Sequence, residues 1–419
     1  MPNKPKPKRP ATPLGHLRPS DLRAVAQLAT QATRGVAYMA EGVHRAVLGT
    51  IGMKGSASAK TAGLTGFVYR TVHGVTELVG KGLQSAFTRL EPLLESLVDA
   101  PPETPLREAV LAALNGVLGD QLAHTHNPLA TPMTLRYQGH TLNLHAMPAM
   151  PEATGKVLLL IHGLCMNDLQ WQASATDDGK PQSDHAAALA SELGYTPVYL
   201  RYNTGLHTSQ SGHELASMLE QLMARWPVPV QELTVLGHSM GGLVIRSALY
   251  YAGLDALRWP RQVKNIVFLG TPHHGAPLER AGNWVDVILG ATPFSKPFAK
   301  LGHMRSAGIT DLRYGHVLDA DWQGHDRFQK KPDGRQPLPL PQGVACYTVA
   351  ATAAAKRSPL ADRVIGDGLV PLASALGQHT DPIRQLDFAR AAQTIVYRTH
   401  HMELLHSPEV TRQVVQWLK

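Results

Sequence analysis

The sequence predicts an α/β protein built on a mostly parallel sheet with helices on both faces. Three observations carry this. From residue 157 onward, short uninterrupted apolar runs recur, of the kind found in strands buried on both faces. Helical stretches separate most of those runs, the alternation that produces parallel strands joined by crossover helices. The composition of the 419 residues, 43% hydrophobic and 17% charged, supplies a substantial core and argues against general disorder.

Residues 1–19 are rich in Pro and Lys and read as a tail. Its first ten residues hold Lys4, Lys6, Lys8 and Arg9 and no acid, half of the net charge of +8. What remains is too dilute for a nucleic-acid footprint. A solvated disordered end is the main reading of the tail, and contact with anionic lipid is the alternative. From the plausible N-cap Ser20, apolar residues step by three and four along Leu22, Val25, Ala29, Ala32, Val36, Met39 and Val43. A second stripe runs Leu64, Val68, Val72, Val75, Val79 and Leu83, and a third Leu106, Val110, Leu114, Val117 and Leu122. Residues 20–125 are therefore expected to be helical. They form either a layer packed on the main domain or a surface for a partner or a membrane.

Residues 126–419 read as the α/β domain. Met133–Leu144 alternates with period two around Gln138-Gly139, which predicts a hairpin. Strands are expected at Val157–Ile161, Pro197–Tyr202, Leu233–Leu236, Val263–Leu269, Val344–Val349 and Thr394–Tyr397. Helices are expected at Ala186–Leu193, Glu214–Trp226, Met240–Tyr251 and Pro408–Leu418. Residues 276–341, rich in Gly, Pro and aromatics, break the alternation and read as a cap insertion over one end of the sheet.

Gly237-His238-Ser239-Met240-Gly241 matches G-x-S-x-G between an expected strand and an expected helix. That junction is a sharp turn, which exposes the serine hydroxyl at the sheet end near the positive pole of the helix. A serine needs a base. His400 and His401 both end the last strand, and its period does not choose between them. The best-placed acid is Asp367, between Gly366 and Gly368 in a loop beyond a strand; Asp362, Asp381 and Asp387 are its rivals. The order serine, acid, histidine suits this arrangement. An oxyanion needs two backbone donors. The N–H groups of Leu164, in the loop after Val157–Ile161, and of Met240 are the candidates. His162 is expected to brace that loop, and Cys165 to be a packed thiol.

His162-Gly163, Gly237–Gly241, Gly270-Thr-Pro-His-His-Gly275, Gly366-Asp-Gly-Leu-Val-Pro371 and His401-Met-Glu-Leu-Leu405 together resemble the α/β-hydrolase superfamily. Within it they resemble bacterial lipases and esterases and the GPI inositol-deacylase-like serine esterases, over residues 130–419. The resemblance implies Asp367 as the triad acid and selects His401 over His400, because an apolar residue and then an acid follow it. It also implies that His273 and His274 are framework. Some such lipases hold a structural calcium; the residues for it are not recognisable here, and no cofactor or metal is expected. His303, Asp311, His316, Asp319, Asp321, His325 and Asp326 match no ligand spacing and are expected to be solvated polar groups.

The expected function is hydrolysis of carboxylic esters through an acyl-enzyme on Ser239. Trp284, Ile288 and Phe294 in the cap are expected to line a pocket for a lipid or medium-chain acyl ester. Acyl transfer by the same triad is one alternative. Another is a non-catalytic scaffold that binds a membrane or partner through residues 20–125. With two cysteines, Cys165 and Cys346, and no evident signal peptide or membrane span, a cytoplasmic protein with a possible peripheral membrane contact is expected.

Overall fold

The computed structural model describes residues 103, 105–172, 182–276, 306–324, 333–355 and 366–419. The stripes expected between residues 20 and 83 lie outside these, as do Trp284, Ile288 and Phe294 of the cap and the rival acid Asp362.

Eight strands form one sheet among the described residues. They are β1 (Thr134–Tyr137), β2 (His140–Thr141), β3 (Lys156–Ile161), β4 (Thr196–Arg201), β5 (Glu232–His238), β6 (Val263–Leu269), β7 (Ala345–Thr352) and β8 (Gln393–Tyr397). Their order is β2-β1-β4-β3-β5-β6-β7-β8. From β4 to β8 every neighbouring pair is parallel, and the β1–β2 hairpin adds an antiparallel edge.

The helices of eight or more residues among the described residues are α1 (Pro105–His124), α2 (His185–Leu193), α3 (Thr208–Arg225), α4 (Met240–Leu254), α5 (Ala307–Tyr314) and α6 (Pro408–Leu418). Side chains of β3 alternate between two cores, as the pleat requires. Val157, Leu159 and Ile161 join the core built with α3, α4 and α5. Leu158 and Leu160 join the opposite core, with Leu189 of α2 and Val410 and Val414 of α6. All five β3 residues are fully buried, each contributing about 2 kcal/mol of apolar transfer. Continuous apolar character in β3 is thus the sequence trace of a strand covered on both faces.

Local signals set the helix ends. Asp184 caps α2 through Ala187 N–H, and Gly194 ends it at φ 73°. Ser407 caps α6, with Pro408 in its first turn. The start of α3 differs from expectation: it begins at Thr208 rather than Glu214. Its first turn holds buried Thr208, Ser209 and Ser211, which hide the apolar stripe. The Thr208 N–H is taken by Asp311, a partner 103 residues away. Glu108–Ala123 of α1 belong to the same compact unit as Ala130–Lys419.

The chain direction reverses across the sheet between β3 and β5. From β3 the chain steps outward to β4 on one side, then crosses back to β5 on the other and continues outward to β6, β7 and β8. Such a switch point opens a crevice at the carboxyl ends of the two strands. The loop after β3 and the turn after β5 meet there, with Ile161 in register beside Gly237.

Candidate active site

Between β5, which ends at His238, and α4, which starts at Met240, stands Ser239 alone, at φ 53° and ψ −122°. A residue with a Cβ is strained there, and such strain persists only where neighbours enforce it. Ser239 N–H donates to Leu269 O at 2.8 Å, and Gly242 N–H donates to Ser239 O at 3.1 Å. A Cβ on Gly241 would stand 2.3 Å from Ile161 O, so only glycine lets the turn press against the β3 end. The loop after β3 is as close, since a Cβ on Gly163 would stand 2.9 Å from Ser239 Cβ. The first N–H groups of α4 carry its positive pole toward this point.

Leu164 and Met240 are buried on either side of the turn. Neither N–H donates to a protein acceptor among the described residues, so both are available to an oxygen in the crevice. The β3 loop is braced from below. His162 Nδ1–H donates to Gly163 O at 3.0 Å, and Tyr202 Oη–H to His162 O at 2.9 Å, with the two rings stacked at 4.6 Å. Burial lowers the His162 pKa to about 4, so the ring is neutral. Cys165 sits at φ 58° with its backbone N–H on Thr204 Oγ1. Burial pushes its thiol up to about 12, which leaves it unreactive.

Asp367 and His401 pair. Asp367 accepts His401 Nδ1–H on Oδ2 at 2.6 Å. Its Oδ1 takes the Leu369 and Val370 N–H groups at 2.9 and 2.7 Å. His401 N–H also donates to Asp367 O at 3.0 Å, so backbone and side chain both fix the pair. Both residues are buried. The carboxylate, an acceptor only, leaves Nε2 as the nitrogen able to receive a proton.

His238 joins this pair to the serine turn. Its Nε2–H donates to His401 O at 3.2 Å, and the two rings lie 4.7 Å apart. Burial and the neighbouring His401 hold His238 well below the usual histidine range. His238, the residue before Ser239, thus ties the serine turn to His401, though no hydrogen bond joins the serine hydroxyl to the imidazole in this structure. Such bonds are often long without substrate.

His400, by contrast, is exposed, its N–H tied to Glu403 Oε2. Asp381 pairs with Arg384 at 3.4 Å, and Asp387 is exposed. His273 is buried beside Arg246, and His274 donates to Gly377 O at 3.0 Å, both as framework.

One expectation is corrected. Asp311 and Asp321 are buried rather than solvated. Asp311 accepts from His207 and His316 and from Thr208 N–H. Asp321 accepts from the Val317 and Leu318 N–H groups at 2.8 and 2.9 Å. Asp311 serves a backbone donor that tertiary packing brings to it, and Asp321 serves those of its own turn. His303, His325 and Asp326 lie outside the described residues. Among the described residues, no group of three or more His, Cys, Asp or Glu is arranged to hold a metal.

The sequence reading also missed a buried charge chain beside the β3 loop. Asp168 pairs with Arg136 at 3.0 Å and with Arg201, and Arg201 reaches Glu108 of α1 at 2.8 Å. An arginine ending the apolar run of β4 was its one local signal.

A switch-point crevice, a strained serine before a helix and a buried Asp–His pair together make up the candidate site on this α/β fold. Residues 152–338 match the family described as the PGAP1-like alpha/beta domain, which this stretch of the chain is similar to. The match includes Ser239 and the β3 loop and stops short of Asp367 and His401. No curated protein matches the chain. Among solved structures, a lipase of Bacillus licheniformis in mature form is 17% identical, over 69% of this chain and 98% of that one, with a TM-score of 0.40. A Staphylococcus hyicus lipase is 14% identical over 65% and 98%, with a TM-score of 0.37. A thermophilic esterase is 13% identical over 62% and 88%, with a TM-score of 0.36. No helix of the described residues is long and apolar enough to cross a membrane.

Proposed function

We propose that the protein hydrolyses carboxylic esters with Ser239 as nucleophile, His401 as general base and acid, and Asp367 as the carboxylate that orients the imidazole. The observation that carries this is the strained Ser239 at a strand–helix turn whose preceding residue, His238, packs on a buried histidine with its Nδ1–H held by a carboxylate at 2.6 Å. Ser239 Oγ attacks the ester carbonyl as His401 Nε2 takes its proton. The C–O⁻ that forms is received by the Leu164 and Met240 N–H groups. When the tetrahedral species collapses, the carbonyl re-forms, the C–O bond to the alcohol breaks, and Nε2 returns the proton to the leaving oxygen. Water, deprotonated by the same nitrogen, then attacks the acyl carbon; the C–O bond to Ser239 Oγ breaks, Nε2 returns the proton to Oγ, and the acid is released. Asp367 keeps its charge and stabilises the imidazolium.

The substrate class proposed is a lipid or medium-chain acyl ester, from the apolar residues Trp284, Ile288 and Phe294 in the cap sequence. Each additional acyl methylene buried adds up to about 0.8 kcal/mol. The test is a series of p-nitrophenyl esters. Catalytic efficiency should rise from acetate toward medium chains, and Ser239→Ala should lower turnover on every ester by about 10⁶-fold. Equal activity in the Ser239→Ala protein would end the triad assignment. A preference for acetate would end the medium-chain assignment alone.

A further inference from the structure

Helix α1 precedes the stretch that matches the hydrolase family, which starts at residue 152. It nevertheless reaches the β3 loop at three points, two directly and one through Arg201. Asn167 Nδ2–H donates to Glu108 O at 3.0 Å. The Glu108 carboxylate holds Arg201, which holds Asp168, the residue after Asn167. Gly116 lies directly on Cys165: a Cβ there would stand 2.1 Å from Cys165 Sγ and 3.0 Å from its Cα and N. Cys165 immediately follows Leu164, whose N–H is the proposed oxyanion donor, and is itself held at φ 58°.

Taken together, and resting on the esterase reading above, we propose that α1 is a positioning element for the oxyanion loop. Glu108 and Gly116 fix where the Leu164 N–H points. An oxyanion donor works only within a narrow distance of the developing charge, and a displacement of about 1 Å costs on the order of 10²-fold in rate. A helix that merely covered apolar surface would need neither a glycine at the loop contact nor a carboxylate chain ending beside it. Cys165 N–H reaches Thr204 Oγ1 at 3.1 Å and its Sγ–H reaches Ala113 O of α1 at 3.9 Å, while the Leu164 N–H has no protein acceptor among the described residues.

The test places Gly116→Ala in the full chain and, separately, in a Cys165→Gly background. kcat and KM on p-nitrophenyl acetate are measured with the thermal midpoint. In the wild-type background the added methyl should lower kcat by about 10-fold or more, with KM within about 3-fold and the midpoint little changed. In the Cys165→Gly background, where the sulfur and Cβ are gone, the same substitution should cost less than about 3-fold. Should Gly116→Ala fail to fold, Asn167→Asp serves instead, since it loses the donation to Glu108 O but keeps the Oδ1 that accepts Leu169 N–H. It too should lower kcat and spare KM. Equal losses in both backgrounds, losses that follow the thermal midpoint, or unchanged kcat in a folded variant would overturn the proposal while leaving the esterase reading intact. A wild-type chain without hydrolysis or fluorophosphonate labelling would overturn the esterase reading, and this proposal with it.

Discussion

Ser239 combines a strained backbone with near-complete burial, and its neighbours give reasons for both. The turn cannot relax without breaking the Leu269 hydrogen bond or separating Gly241 from Ile161. Asp367 is as constrained, since three N–H donors and the His401 ring bond converge on its side chain and carbonyl. Asp367→Asn keeps that shape but presents an amide to Nδ1 and favours the wrong tautomer. Turnover should fall by about 10⁴-fold, measured on the purified protein with an unchanged unfolding midpoint. His401→Ala should be more damaging still, while His400→Ala, at an exposed position, should change turnover by less than about 3-fold. The reverse ranking would move the base by one residue. The proposed residues were legible because Ser239 and His401 close apolar runs in short motifs, while Asp367 stands between two glycines in a loop beyond a strand. Periodicity did not choose between His400 and His401; the family resemblance pointed to His401, and that is the ring buried against Asp367, which supports the proposed assignment.

At the scale of elements, the switch between β3 and β5 creates the site. Both strands were readable as apolar runs, and so was the turn after β5. The contribution of α1 was not readable. Glu108, Arg136, Asp168 and Arg201 lie far apart in sequence, and each alone looks like a surface charge. They form a chain only after β1, β4 and α1 have packed. Buried ion pairs are costly to break from one side. Asp168→Ala removes the carboxylate that two guanidinium groups share and should destabilise the fold by about 3–5 kcal/mol, read from the urea unfolding midpoint. A change below about 1 kcal/mol would show that this chain is solvated in practice. The early start of α3 has the same origin, because the Asp311 carboxylate that holds its first turn comes from the cap region.

Across the whole molecule, buried histidines link stability to pH. Burial lowers His162 and His185 to about 4 and holds His238 and His273 well below the ordinary value. Between about pH 6.5 and 4 the unfolded chain therefore binds protons that the folded chain does not. Stability is complete above that window and should fall as pH falls through it, by up to about 1.4 kcal/mol per pH unit for each such histidine. Urea midpoints from pH 7.5 to 4.5 should decline accordingly, and a flat series would contradict the burial of these rings. The central claim, that this domain presents Ser239 as an activated nucleophile, is tested most directly by fluorophosphonate labelling of the full chain followed by peptide mass mapping. The account predicts a single adduct on Ser239 of the native protein, absent after denaturation before labelling and absent from Ser239→Ala. A native protein that takes no adduct, or an adduct that persists in Ser239→Ala, would contradict it.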